Sequence, residues 1–255
     1  MYMTTELDLF SHCVEEGYYD RVYVMGDIHG KIPLKLKELK DRANENIAVI
    51  LLGVVGANYY GGKRDKYFKE DLNNIGVPFY CLRGNHEARP QNISGMEKAY
   101  DCYAQNYVYM EYEYPNIKYL IDGYEYFFMG LSCLALGGAY SVDKWYRLQN
   151  GWKWFADEQL TDEERQDILS FWTGEFTNVV LSHTCPYSWQ PTDLFIGAVD
   201  QSTVDNTMEI WFEEVVKNVM WDKWLFAHFH ETRDLAPNIK MLSSDILLDL
   251  LEWYE

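Results

Sequence analysis

Between residues 21 and 84 the chain alternates three short apolar runs with two segments of helical periodicity, and this alternation restricts the fold more than any other feature. RVYVMGD (21–27), IAVILLG (47–53) and VPFYCLRG (77–84) are rich in β-branched and aromatic residues, and each ends on small or polar ones, as buried strands do. IPLKLKELKDRA and KRDKYFKEDLNNI, which lie between them, repeat apolar residues at helical spacing. The order β-α-β-α-β predicts a parallel sheet covered by helices. NVVLSH (178–183) and KWLFAH (223–228) predict two more buried strands.

The middle of the chain has a different pattern. YVYMEYEYP, KYLIDGYEYFFMGL and SCLALGGAY read as antiparallel strands, with Asp122-Gly123 as a hairpin turn. In TDEERQDILSFW, Thr161 is followed three residues later by Glu164, the pattern of a capping box that starts a helix. A second helix is expected over roughly VDNTMEIWFEEVVKNV. No Pro, Gly or Ser-rich linker and no internal repeat interrupts the chain, so residues 1–255 are expected to form one α/β domain of two mixed sheets flanked by helices.

Composition narrows the function classes. The 48% hydrophobic content suffices for a large core, yet no run approaches the roughly 18 apolar residues of a membrane span. The opening MYMTTELDLFSHCVEEG has no basic region or long apolar run, so a soluble, cytoplasmic protein with no membrane partner is expected. A net charge of -18 repels a phosphate backbone and argues against nucleic acid as a partner. Cys13, Cys81, Cys102, Cys133 and Cys185 lack CxxC spacing and are expected to be reduced, mostly buried thiols.

The chemically distinctive residues fall at the ends of the expected strands. GDIHG supplies Asp27 and His29; RGNHE supplies Asn85, His86 and Glu87; SHTCP supplies His183; AHFH supplies His228 and His230. Ligands bind at the carboxyl ends of strands in open α/β sheets, so these segments are expected to converge. Taken singly, each has a bland explanation, such as an N-capping Asp, a polar turn or a satisfied pair of histidines. Together, four strand ends carry five of the six histidines in the chain, which a purely structural account does not explain. Mixed oxygen and nitrogen donors without sulfur suit manganese, iron, zinc or nickel. Two such ions about 3.5 to 4 Å apart can hold a phosphoryl oxygen and activate water for in-line attack.

In this order, GDIHG, LLG with a glycine-rich loop, LRGNHE, SHTCP and AHFH resemble the calcineurin-like metallophosphoesterase superfamily, from residue 21 to about residue 245. GDIHG and LRGNHE are most similar to the phosphoprotein-phosphatase and diadenosine-tetraphosphatase branch, and GGAYSVDKWYR to a segment of bacterial members. The resemblance implies a four-layer α-β-β-α sandwich and two divalent transition-metal ions, manganese foremost. It assigns Asp27, His29 and His230 to one ion and Asn85, His183 and His228 to the other. It gives His86 the role of proton donor or stabiliser of phosphoryl charge. A phosphoprotein, a nucleotide or a small phosphoester is the implied substrate.

The resemblance also implies a bridging Asp directly after Gly53, where this chain has Val54. A valine offers no lone pair, and without the carboxylate the repulsion between two dications is poorly compensated. Reduced metal occupancy and weak or absent hydrolysis are therefore expected. Three accounts of Val54 remain open: an engineered replacement of the family's acid, a natural phosphate-binding pseudoenzyme, and a natural variant with a shifted ligand, Asn58 being four residues away. The loop GANYYGGKRD also lacks the DRG run whose arginine contacts phosphate in the family. Arg89, Lys144 and Arg147 are candidate replacements, or solvated surface charges.

Overall fold

The computed structural model describes residues 18–255; His12 and Cys13 lie outside them. The strands are β1 (Arg21–Met25), β2 (Ile47–Leu52), β3 (Phe79–Leu82), β4 (Glu97–Asp101), β5 (Asn106–Met110), β6 (Ile117–Tyr119), β7 (Glu125–Phe128), β8 (Leu131–Leu136), β9 (Phe176–Ser182), β10 (Met220–Phe226), β11 (Arg233–Ala236), β12 (Ile239–Met241) and β13 (Leu248–Asp249). The helices are α1 (Leu34–Glu38), α2 (Lys63–Asn73), α3 (Lys144–Gln149), α4 (Asp162–Trp172), α5 (Thr207–Asn218) and α6 (Leu250–Tyr254).

These strands form two mixed sheets. One has the order β13-β1-β2-β3-β6-β5-β4, with β1, β2, β3 and β6 parallel. The other runs β11-β12-β10-β9-β8-β7, with β8, β9, β10 and β12 parallel. Side chains alternate between the faces of each strand, and this alternation builds the layers. Val22, Val24, Ile50 and Leu52 of the first sheet meet Cys133, Ala135, Val179 and Leu181 of the second in one apolar core. Tyr23, Met25, Val49 and Leu51 point the other way, onto Leu36 of α1 and Leu72 of α2. On the outer face of the second sheet, Leu134, Val180 and Phe226 pack on Trp172 of α4 and on α5. Met208, Trp211, Phe212 and Val215 of α5 are buried at helical spacing, which explains why that segment is a helix docked on the sheet. Thr161 and Glu164 do form the capping box that starts α4.

Two sequence expectations are corrected. Asp122-Gly123 is a turn but not a hairpin, because β6 before it belongs to the first sheet and β7 after it to the second. The Asp122 carboxylate instead accepts hydrogen bonds from Arg83 Nε at 3.0 Å and Gly137 N at 2.6 Å. The hairpin turn joining β7 to β8 is Met129-Gly130, with φ of 53° and 82°, the left-handed pair that suits the twist of a two-residue hairpin. Cys81, Cys133 and Cys185 are buried free thiols as expected, but Cys102 is disulfide-bonded. Among the described residues, no helix is long and apolar enough to cross a membrane.

Candidate metal centre

Strands β1, β2 and β3 of one sheet and β9 and β10 of the other end at the same edge of the sandwich, and the loops that follow them meet there. Backbone strain concentrates at this edge. Of the six described non-glycine residues with positive φ, four are His29, Val54, His228 and His230. Such strain persists only where the surroundings enforce it, and it clusters at functional sites.

Asp27, His29 and His230 bring their ligand atoms within 4.8 Å of one another. His29 Nε2 and His230 Nε2 are 2.8 Å apart, and lie 3.6 Å and 3.8 Å from Asp27 Oδ2. His183 Nε2 approaches the same oxygen to 4.0 Å from the other side. Asp27 Oδ1 accepts from the backbone N–H of His228 at 3.0 Å, whereas Oδ2 is buried with no hydrogen-bond partner among the described residues. Burial opposes ionisation of Asp27. His183 and His29 outweigh that effect, and hold the carboxyl well below the usual carboxylate range.

The second group is equally informative. His183 Nδ1 lies 2.9 Å from the carbonyl oxygen of Leu52, which can only accept, so Nδ1 carries the proton and Nε2 a lone pair. That lone pair faces Asn85 Oδ1, itself an acceptor, at 3.1 Å. Two acceptors facing each other, like the orphaned Asp27 oxygen, fit a cation between the groups. His228 packs edge-on against His183, with ring centroids 4.9 Å apart; burial and that neighbour push its pKa down to about 3, leaving it neutral and able to ligate.

All six expected ligand residues are thus at one edge, and Val54 is with them. Its side chain is 2% exposed and its φ is 26°, an unusual backbone for a β-branched residue. Val54 O accepts from His29 N at 2.8 Å, tying this loop to the one after β1. Glu87 accepts from Val55 N and Gly56 N at 3.2 and 3.3 Å; burial pushes its carboxyl up to about 7. Glu87 therefore clamps the loop backbone. Asn58, the shifted-ligand candidate, lines neither cleft at the centre.

Two clefts open from the centre, both reaching His29 and His86. One, of about 590 Å³, is lined by Tyr59, Tyr60, Arg64, Arg147 and Lys153. The other, of about 250 Å³, has apolar walls including Leu194, Ile196 and Phe229. Of the three cations singled out in the sequence, Arg147 reaches the first cleft, donating from Nη2 to His86 Nε2 at 3.1 Å and from Nη1 to the Tyr59 hydroxyl at 3.2 Å. Lys144 lines neither cleft, and its ammonium lies 4.1 Å from the centroid of the Trp154 ring. Arg89 turns away from the centre. Its guanidinium pairs with Glu164 and donates to the carbonyl oxygens of Asp157 and Gln159, in a different cavity beside α4. His86 is largely buried, which together with Arg147 pushes its pKa down to about 2.

Two solved structures are similar to the chain at low identity. A crystal structure of TT1561 of Thermus thermophilus is 13% identical over 88% of each chain, with a TM-score of 0.46. Another crystal structure is 15% identical over 91% of this chain and 95% of its own, with a TM-score of 0.50. No curated protein matches the chain. The family model for calcineurin-like phosphoesterase matches residues 20–232, which includes every strand end described above. With two mixed sheets and a histidine-rich edge between them, the chain belongs to the calcineurin-like phosphoesterase family.

Proposed function

We propose that this chain is built for metal-dependent phosphoester hydrolysis at a dinuclear centre, and that Val54 weakens it. The observation that carries this reading is the buried Asp27 Oδ2, without a hydrogen-bond partner among the described residues and with three imidazole nitrogens around it at 3.6 to 4.0 Å. Asp27, His29 and His230 would hold one divalent ion, and Asn85, His183 and His228 the other. Bound ions would supply Lewis-acid stabilisation of charge developing on the phosphoryl oxygens. Arg147, in the lining of the larger cleft, would offer a substrate phosphate a fixed cation. Tyr59 and Tyr60 beside it support a nucleotide or another small phosphoester with a flat group.

At the bridging position, Val54 offers no charge, and Glu87 is committed to backbone N–H groups. The test is Val54→Asp, assayed with manganese on generic phosphate mono- and diesters, alongside elemental analysis. A rise in turnover and in bound metal is expected; no rise in either overturns the reading. Two metals per chain before substitution would overturn the role given to Val54.

The buried row Val54, Val55 and Ala57 favours a second reading, a pocket that binds phosphorylated ligands without cleaving them. It expects phosphate affinity that survives a chelator. Loss of binding on chelation removes it.

A further inference from the structure

Downstream of β8, the segment GGAYS places Ser141 beneath the centre, and a loop before α4 brings Glu158 to it. Both are buried, at 0% and 3% exposure. Arg83, at the end of β3, anchors that loop by donating to the carbonyl oxygen of Glu158. The Glu158 carboxylate accepts twice from one residue, Oε1 from Ser141 N at 2.9 Å and Oε2 from Ser141 Oγ.

With its only proton given to Glu158, the Ser141 hydroxyl can otherwise only accept, through two lone pairs. Two donors reach it. Asn85 Nδ2 is 3.1 Å away and His86 Nδ1 is 3.2 Å away. The first contact turns the Asn85 amide so that Oδ1 points at His183 Nε2 rather than away from it. The second requires the His86 proton on Nδ1, leaving Nε2 to accept from Arg147 Nη2. Arg147 Nε is fixed in turn by both oxygens of Asp143 at 2.8 Å. Every donor in the series Arg147, His86, Ser141 meets an acceptor, ending at Glu158. In this arrangement the N–H of His86 faces the protein interior, so His86 orients Arg147 and does not itself present a proton to the cleft.

We propose that Ser141 and Glu158 are a positioning pair: one buried hydroxyl, polarised by one buried carboxylate, sets the amide orientation of Asn85 and the tautomer of His86. Through His86 it also sets the place of the Arg147 guanidinium. The proposal rests on the metallophosphoesterase reading only where it concerns metal affinity; the hydrogen-bond series itself joins protein atoms alone. Partners that orient a metal ligand in this way change affinity by about 10 to 100-fold when removed.

The test uses the full metal-free chain and long-range proton–nitrogen correlation spectra of its histidines. The unsubstituted chain should show His86 protonated at Nδ1; in Ser141→Ala that proton has no acceptor, so the Nε2 tautomer should become populated as Arg147, a donor only, is displaced from Nε2. His183 should keep its proton on Nδ1, where Leu52 O accepts it, and that tautomer serves as the check on folding. In calorimetry with manganese alone, affinity should fall at least about tenfold in Ser141→Ala. Should that variant lose the His183 signal, Glu158→Gln, which keeps the hydroxyl but alters its acceptor, decides by the same two readouts. Retention of the Nδ1 proton overturns the proposal. A proton shift with unchanged manganese affinity overturns its Asn85 half. If the unsubstituted chain binds no manganese yet the proton moves as expected, the metal reading fails and the positioning pair stands.

Discussion

Gly84 exists to make room for Val54. A Cβ on Gly84 would lie 2.1 Å from Val54 N and 2.5 Å from Val54 Cγ2, distances that no real contact reaches. Gly84 is the residue before Asn85, so crowding here is transmitted to a candidate ligand. Gly84→Ala should destabilise the chain by about 1 to 3 kcal/mol, the usual cost of overpacking. Urea denaturation monitored by tryptophan fluorescence measures it, and an effect under about 0.5 kcal/mol would show that the Val54 loop yields freely.

His183 is held as closely by the neighbouring glycine. At φ of 99°, Gly53 would place a Cβ 2.0 Å from His183 Nδ1, where the ring donates to Leu52 O. Gly53→Ala should therefore lower manganese affinity by about tenfold or more through misorientation of the ring. Isothermal calorimetry checks this, with Gly197→Ala as a control, because a Cβ there meets open space.

Removing metal and removing a ligand should have the same effect. His29→Ala and prior dialysis against a chelator are each expected to abolish hydrolysis of a generic phosphoester, and added manganese should restore only the dialysed, unsubstituted chain. Activity that persists after dialysis would contradict the role given to Asp27, His29 and His230.

Arg89 and Arg147 should separate stability from substrate contact. Arg89 is 6% exposed and paired with Glu164, whose side chain is 36% exposed. Its replacement by Met should cost about 2 to 3 kcal/mol, somewhat below the roughly 3 to 5 kcal/mol of breaking a fully buried pair. It should leave KM unchanged. Arg147→Met should raise KM for phosphate esters at least fivefold with a smaller effect on stability. Steady-state kinetics and thermal melts on both variants distinguish the roles.

Glu209 on α5 gives a pH-dependent prediction. It is buried, Oε1 accepts from the Thr184 hydroxyl at 2.9 Å, and Oε2 has no partner among the described residues. Burial pushes its carboxyl up from 4.5 to about 7. The folded chain therefore holds this proton more tightly than the unfolded chain. The resulting stability is full below about pH 4.5, and is lost as pH rises toward 7. Glu209→Gln removes that loss, so its stability relative to the unsubstituted chain should rise between pH 5 and pH 8, by at most roughly 3 kcal/mol. A difference that is flat with pH would contradict the burial of an uncompensated carboxyl.

Periodicity marks the layers correctly wherever strands alternate inward and outward residues, as in β1, β2 and β9, and the start of α4 is readable because Thr161 and Glu164 act within one turn. The six candidate ligands are readable because they sit in short segments at strand ends. Contacts between distant segments are not. Nothing local to Asp122-Gly123 reveals that the strands around it join different sheets. Arg89 looks available because it follows GNHE, yet its partner Glu164 is 75 residues away. Ser141 lies within a recognisable segment, but its importance depends on Glu158, which no motif marks. Glu87 is visible within RGNHE, but only the folded loop shows that it grips Val55 and Gly56.

Candidate ligands for each ion come from both sheets: Asp27 and His29 with His230, and Asn85 with His183 and His228. An ion seated there is a clasp as well as a reagent, because it binds only when the two sheets are docked in register. Ligand that binds only the folded form stabilises it by about 2.7 kcal/mol at a hundredfold excess over Kd. The melting temperature of this protein should therefore rise with manganese concentration, and the extent of that rise is a gauge, independent of any substrate, of how much grip the centre retains with valine at position 54.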